Sequence, residues 1–112
     1  MIKVYFDDLR EPPDDTWVVI RDIATFQDYV VKNGVPKFIS FDHDLGGDER
    51  AIDAIKWMIE KELEIYQWQI HSANPVGAEN MKSLLNCWQT FYRENLKLPE
   101  KSDYKSLNST TL

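Results

Sequence analysis

Phe38-Ile39-Ser40-Phe41-Asp42-His43-Asp44 is a short apolar run that breaks off into three polar residues. Two other stretches share this shape: Ile2 to Phe6 ends in Asp7-Asp8, and Trp68 to Ile70 ends in His71-Ser72-Ala73-Asn74. Runs of this kind, with little or no apolar–polar alternation, predict strands buried on both faces, the habit of a parallel sheet. Trp17 to Ile20 has the same β-branched and aromatic content and follows the loop Arg10-Glu11-Pro12-Pro13-Asp14-Asp15. It reads as a further strand.

Helical patterns fill the intervals. Ile23, Phe26 and Val30 recur at helical spacing, and Asn33-Gly34 supplies a C-terminal glycine stop. A second helix is expected to start at an Asp48 cap and to bury Ile52, Ile55 and Ile59. A third carries Met81, Leu84, Leu85, Trp88 and Phe91, a stripe read as core rather than as a cofactor contact. Strands alternating with helices imply right-handed crossovers with helices on both sheet faces, an α/β fold in three layers. One link is awkward. Residues 7–15 are too short and proline-rich for a crossover helix, so that helix is degenerate or the second strand pairs unexpectedly.

Composition bounds the rest. At 112 residues, with 43% apolar and 12% aromatic content, the chain has the size and the material for one core. We assign residues 1–95 to that domain and 96–112, where the helical period is lost, to a polar tail. A formal charge of −6 argues against a duplex nucleic-acid partner. A phosphate-bearing partner then needs placed Arg or Lys residues, or a bound divalent cation that reverses the local field. The lone Cys87 excludes an intramolecular disulfide and suits a reducing compartment. With no apolar leader and no run long enough to span a bilayer, a cytoplasmic protein without a membrane partner is expected.

Ligands of an open parallel sheet bind beyond the carboxyl ends of its strands, where the polar residues of this chain gather. Neighbouring parallel strands lie about 4.8 Å apart, so carboxylates at adjacent strand ends can reach one ion. Asp7, Asp8, Asp42 and Asp44 are therefore expected to hold Mg²⁺ or Mn²⁺ through hard oxygen donors. Asp42 and Asp44 point the same way if the chain stays extended. Taken singly, each aspartate reads as a loop or helix cap. Together and without a cation they repel and raise one another's pKa, a cost relieved by a metal or by salt bridges to Lys3, Arg10 or Arg21. His43 and His71 fall at the same strand ends, either as general acid and base or as hydrogen-bond partners of the carboxylates. Asn74-Pro75-Val76-Gly77 reads as an N-cap and a proline-led first turn, whose free N–H groups suit phosphate oxygens.

At these residues the sequence resembles the receiver superfamily, with an acidic pair after the first strand, an aspartate after the third and Ser-Ala after the fourth: Asp7, Asp8, Asp42 and Ser72-Ala73. The family's lysine after a fifth strand has no counterpart. More closely, Phe6 to Pro12, Trp17 to Arg21, Phe41 to Gly46 and His71 to Met81 resemble the branch known as the cyclic-phosphate-processing receiver domain. The resemblance covers most of residues 2 to 90. It implies a small three-layer receiver-like (flavodoxin-like) fold, with a truncated, mostly parallel sheet of about four strands. It also implies processing of a cyclic phosphate or nucleotide, with the histidines as catalytic groups. The expected activity is a metal-dependent phosphodiesterase: Asp7, Asp8, Asp42 and Asp44 as ligands, and His43, His71 and Asp42 in the chemistry. Arg10, Ser72, Asn74 and Gly77 hold phosphate, and the substrate class is a cyclic nucleotide or similar phosphate-bearing small molecule. The competing expectation is a module that binds a cyclic nucleotide without chemistry, with aromatics among Trp17, Tyr66, Trp68 and Tyr92 stacking the base. A phosphorelay receiver using Asp42 as phosphoacceptor is disfavoured by the missing lysine. Oligomeric state is left open.

Overall fold

Strand pairing in the computed structural model, which describes residues 2–45 and 49–97, is parallel throughout. The strands β1 (Lys3–Phe6), β2 (Val18–Ile20), β3 (Phe38–Phe41) and β4 (Gln67–Ile70) form one sheet in the order β2-β1-β3-β4. Helices α1 (Ile23–Asn33), α2 (Ala51–Glu60) and α3 (Pro75–Phe91) follow β2, β3 and β4, and a π-helical turn, Tyr92–Leu96, extends α3. This is the receiver-like α/β arrangement expected from the sequence.

The layering differs from expectation, and the strand order explains why. From β2 to β3 to β4 the chain moves across the sheet in one direction, so right-handed crossovers place their helices on one face. Side chains agree. Phe6 stacks on Phe26 of α1 at 4.8 Å, while Trp68, on the same face by register, donates through Nε1 to Gln89 of α3 at 3.0 Å. Only the step from β1 to β2 runs the other way, and residues 7–17 make it without a helix. The described helices therefore form one layer on one side of the sheet. Val4, Phe6, Ile20, Ile39 and Phe41 meet Phe26, Val30, Ile55, Met58, Met81, Leu85 and Trp88 there in a single core.

On the second face, which no helix of the described residues covers, stands Trp17. Its ring packs edge-on against Tyr5 at 5.8 Å and Phe38 at 5.7 Å, with the Lys3 ammonium 4.5 Å from its centroid. This cover keeps Tyr5 only 6% exposed. Trp17→Ala is expected to cost about 2 kcal/mol, the scale of a large apolar contact that is not fully enclosed. Urea denaturation measures it, and an unchanged midpoint would show that the ring adds nothing to the fold.

Helix boundaries follow local chemistry. Asp22 caps α1 by accepting from the Thr25 N–H at 2.8 Å, and Gly34, at φ 84°, ends it by donating to the Val30 carbonyl at 2.7 Å. Asp48 lies outside the described residues, and α2 begins at Ala51 with Arg50 at the cap position. Its buried stripe is Ala51, Ala54, Ile55 and Met58; Ile52 and Ile59 only flank it, because the small alanines let the helix approach the core. Phe91, expected in the core, is 50% exposed and stacks on Trp88 at the end of α3. β4 is an edge strand and alternates, with Gln67 and Gln69 exposed. Leu96 packs against the core, so the domain runs at least to that turn; of the expected tail, residues 98–112 lie outside the described residues.

Candidate functional site

The ladder of the sheet runs one residue past its strands. Asp7 N–H donates to the Ile20 carbonyl at 3.1 Å, Asp42 N–H to Phe6 at 2.9 Å and His71 N–H to Phe41 at 2.9 Å. Asp7, Asp42 and His71 are thereby fixed side by side at the carboxyl edge. Asp7, Asp8 and Asp42 each bring one carboxylate oxygen into a group spanning no more than 4.8 Å.

The carboxylates are not equivalent. Asp7 is fully buried, its Oδ1 accepting from the N–H groups of Leu9 and Arg10, both at 2.9 Å, and its Oδ2 facing His71 Nε2 at 2.9 Å. Burial works to raise its pKa, but the Arg10 and Leu9 N–H bonds and the His71 bond together hold it below the usual carboxylate value. Asp42, 8% exposed, accepts among the described residues only the His43 N–H at 2.8 Å. Its pKa is raised, first by burial and then by the charge of Asp7, against the opposing pull of the His43 N–H, Arg10 and His71.

The cations expected to neutralise this group make their close contacts with other partners. Lys3 lies over Trp17, and Arg21 pairs with Glu11 at 3.1 Å while donating to the carbonyls of Asp7 and Arg10. Arg10 Nη1 donates to the His71 carbonyl at 2.6 Å. Among the described residues no lysine or arginine forms a salt bridge with Asp7, Asp8 or Asp42.

Asp44, expected as a fourth ligand, is not in the group. The chain does not stay extended after Phe41: Asp44 forms an isolated antiparallel bridge with Arg50, and its carboxylate accepts from His43 Nδ1 at 2.9 Å. It reaches the wall of a cavity of about 340 Å³ that opens over the three aspartates and is lined also by Arg10, Ser72 and Asn74. Neither histidine lines that cavity. His71 is held behind Asp7, its ring stacked on Tyr5 at 4.4 Å and its Nδ1 2.7 Å from Ser40 Oγ. His43, 8% exposed, lies beneath the start of α3.

The helix start also departs from expectation. Asn74 caps α3, and its Oδ1 consumes the Gly77 N–H at 3.0 Å. Pro75 has no N–H, so of the first three positions only Val76 keeps a donor without a partner among the described residues. Gly77 is buried against the His43 ring, where a Cβ would lie 2.4 Å from Cδ2. It makes room for His43, does not line the cavity, and has its N–H taken by Asn74. The groups free to donate into the cavity are others: the Ser72 hydroxyl, whose oxygen accepts the Asn74 N–H at 3.0 Å, and the Asn74 amide.

None of the four candidate base-stacking aromatics lines this cavity. Trp17 covers the second sheet face, Trp68 bonds Gln89, Tyr92 packs on Trp88, and Tyr66 lies under the Lys37 ammonium. A larger cavity of about 470 Å³ sits at the opposite end of the sheet, beside Lys37, Glu64 and Arg93. It lacks the convergent carboxylates, so the smaller one is the candidate site.

Residues 2–87 match the family model described as the cyclic-phosphate processing receiver domain. The chain belongs to that family. Searches of curated proteins and of solved structures gave no significant match. In this cyclic-phosphate processing receiver domain the matched segment contains every candidate site residue and ends within α3. The superfamily's acidic pair and aspartate are the three grouped carboxylates, and Ser72-Ala73 forms part of the cavity wall. Among the described residues there is no fifth strand to carry the phosphorelay lysine.

No helix among the described residues is long and apolar enough to cross a membrane. The sequence reading missed Ser40, Gln69 and Tyr5. The signal was available for Ser40: a hydroxyl inside a strand read as buried on both faces needs a partner.

Proposed function

We propose that this domain carries out its family's cyclic-phosphate processing as a divalent-metal-dependent phosphodiesterase at the Asp7–Asp8–Asp42 cluster. The observation that carries the reading is charge. Three carboxylates meet at a cavity with no lysine or arginine among the described residues in a salt bridge with them, and Asp42 is left with a raised pKa. The donor set fits Mg²⁺ or Mn²⁺: all hard oxygens, few enough to leave coordination positions for water and substrate. Asp7 has about four lone-pair sites, of which the N–H groups of Leu9 and Arg10 and His71 fill three, leaving one for a cation. When bound, such an ion supplies Lewis-acid polarisation of a phosphoryl oxygen and a water of lowered pKa.

The chain's own groups do the rest. Arg10 spends one of its five N–H donors on the His71 carbonyl and turns others to a phosphate oxygen at the cavity wall. Ser72 and Asn74 donate beside it. Ring opening adds water across one P–O bond, and the leaving oxygen takes a proton. Asp44, on the wall and hydrogen-bonded to His43, ties that histidine to the cavity and makes the pair the candidate proton donor.

The decisive experiment incubates the purified protein with 2′,3′-cyclic, 3′,5′-cyclic and cyclic oligonucleotide phosphates, with Mg²⁺, with Mn²⁺ and with EDTA, read by mass spectrometry. The expected result is opening of one class that stops in EDTA and falls at least 100-fold in His43→Gln, on the scale of lost general acid catalysis. A second reading, ligand binding without turnover, draws on the absence of either histidine from the cavity wall. Its signature is a nucleotide retained and recovered intact. No turnover and no retention would remove both.

A further inference from the structure

His71 has a partner at each ring nitrogen and a stacked ring on one face, and these contacts assign it a role other than proton transfer to substrate. Gln69 Nε2 donates to Ser40 Oγ at 2.9 Å, so the serine hydroxyl is filled as an acceptor from that side and its own proton is free for His71 Nδ1 at 2.7 Å. An imidazole that accepts at Nδ1 carries its proton on Nε2, which here points at Asp7 Oδ2 at 2.9 Å. The ring is held flat on Tyr5, with 9° between the planes. Ser40 is fully buried, so this serine–histidine–aspartate line is not a nucleophilic triad; it ends on a carboxylate of the proposed metal site.

We infer that His71 is a positioning residue that orients Asp7 for metal, locked in its Nε2–H tautomer by the Ser40 hydroxyl, which the Gln69 amide aims. This rests on the metal-site reading above. Groups behind a ligating carboxylate commonly change metal affinity 10- to 100-fold when removed, because the ligand oxygen is no longer pre-aimed. The order of effects is specific. His71→Phe keeps the aromatic stack on Tyr5 and loses the donor. His71→Gln restores an amide N–H near the Nε2 position. Ser40→Ala leaves the imidazole in place and removes the partner of Nδ1, so that Asp7 alone holds the tautomer.

The test measures Mn²⁺ affinity by electron paramagnetic resonance on the full chain, together with the ¹⁵N shifts of the His71 ring. We expect an Nε2–H pattern in the wild type, affinity weakened about 10- to 100-fold in His71→Phe, largely recovered in His71→Gln, and reduced by an intermediate factor in Ser40→Ala with a shifted Nδ1 resonance. Wild-type Mn²⁺ binding that is unchanged in all three variants overturns the positioning role and leaves the metal site standing. An Nδ1–H tautomer in the wild type also overturns it, and needs no variant to fold. Failure of the wild type to bind Mn²⁺ overturns the metal site and this inference together.

Discussion

Asp42→Asn is expected to leave the metal-free protein at least as stable as the wild type, and to abolish both turnover and stabilisation by divalent ions. The two effects have one origin. Burial and the charge of Asp7 raise the Asp42 pKa, so the folded state holds its proton more tightly than the unfolded chain does. Stability from this group is therefore lost as pH rises from the unfolded value, about 3.9, through the raised folded value. Asp7 works in the opposite sense. Its pKa is lowered, so its contribution is present above the unfolded value and is lost as pH falls through the folded one. Asparagine at 42 removes the effect of the Asp42 proton, keeps an oxygen for the His43 N–H, and leaves the contribution of Asp7 intact. In the wild type, free ion at 100 times its dissociation constant adds about 2.7 kcal/mol, which in a domain of this size raises Tm by roughly 10–20 °C. Urea and thermal unfolding between pH 4 and 7, with EDTA and with Mn²⁺, separate the effects. A variant less stable than wild type in EDTA would mean that the carboxylate is a net stabiliser. An equal Mn²⁺ shift in both proteins would place the ion elsewhere.

The sequence carried the sheet and most of the carboxylate group because both depend on short-range pattern. An apolar run followed by acid is visible residue by residue, and adjacent parallel strands bring their ends together whatever lies between. Asp7, Asp8 and Asp42 needed nothing more than that. Asp44 needed the path of the chain after Phe41, which a bridge to Arg50 turns back on itself, and no local pattern encodes that bridge. The number of layers was readable in principle. Residues 7–15 were already too short and proline-rich for a helix, and that connection was the one able to supply a helix on the second face.

Histidine roles were not legible for a different reason. Position at a strand end says that a side chain is near the site, not which way its ring is held. His71 is turned from the cavity by Ser40 and Gln69, residues from two strands whose side chains share its face only once register is known. His43 is turned by the helix start that packs over it. Both histidines therefore meet carboxylates, while Arg10, Ser72 and Asn74 line the cavity.

Gly77→Ala is expected to destabilise the protein by about 1–3 kcal/mol, against the usual sign for this exchange in a helix. On propensity alone, alanine inside a helix gains roughly 1 kcal/mol over glycine. Sterics decide otherwise here. A Cβ at position 77 would lie 2.4 Å from Cδ2, 2.5 Å from Cγ and 2.6 Å from Nε2 of His43, and these are the body of a buried ring rather than the tip of a mobile chain. Either the ring leaves its place beside Asp44, or the first turn of α3 lifts and takes Asn74 with it. The double-mutant cycle makes the cause testable. In a His43→Ala background the ring is gone, and Gly77→Ala is then expected to stabilise by up to about 1 kcal/mol, so that the same substitution changes sign. Chemical denaturation of the four proteins measures this directly. If Gly77→Ala costs the same with and without the His43 ring, the glycine is not there to admit the histidine. A cost that vanishes with the ring ties the entry of α3, and with it the Ser72 and Asn74 donors, to the packing of His43.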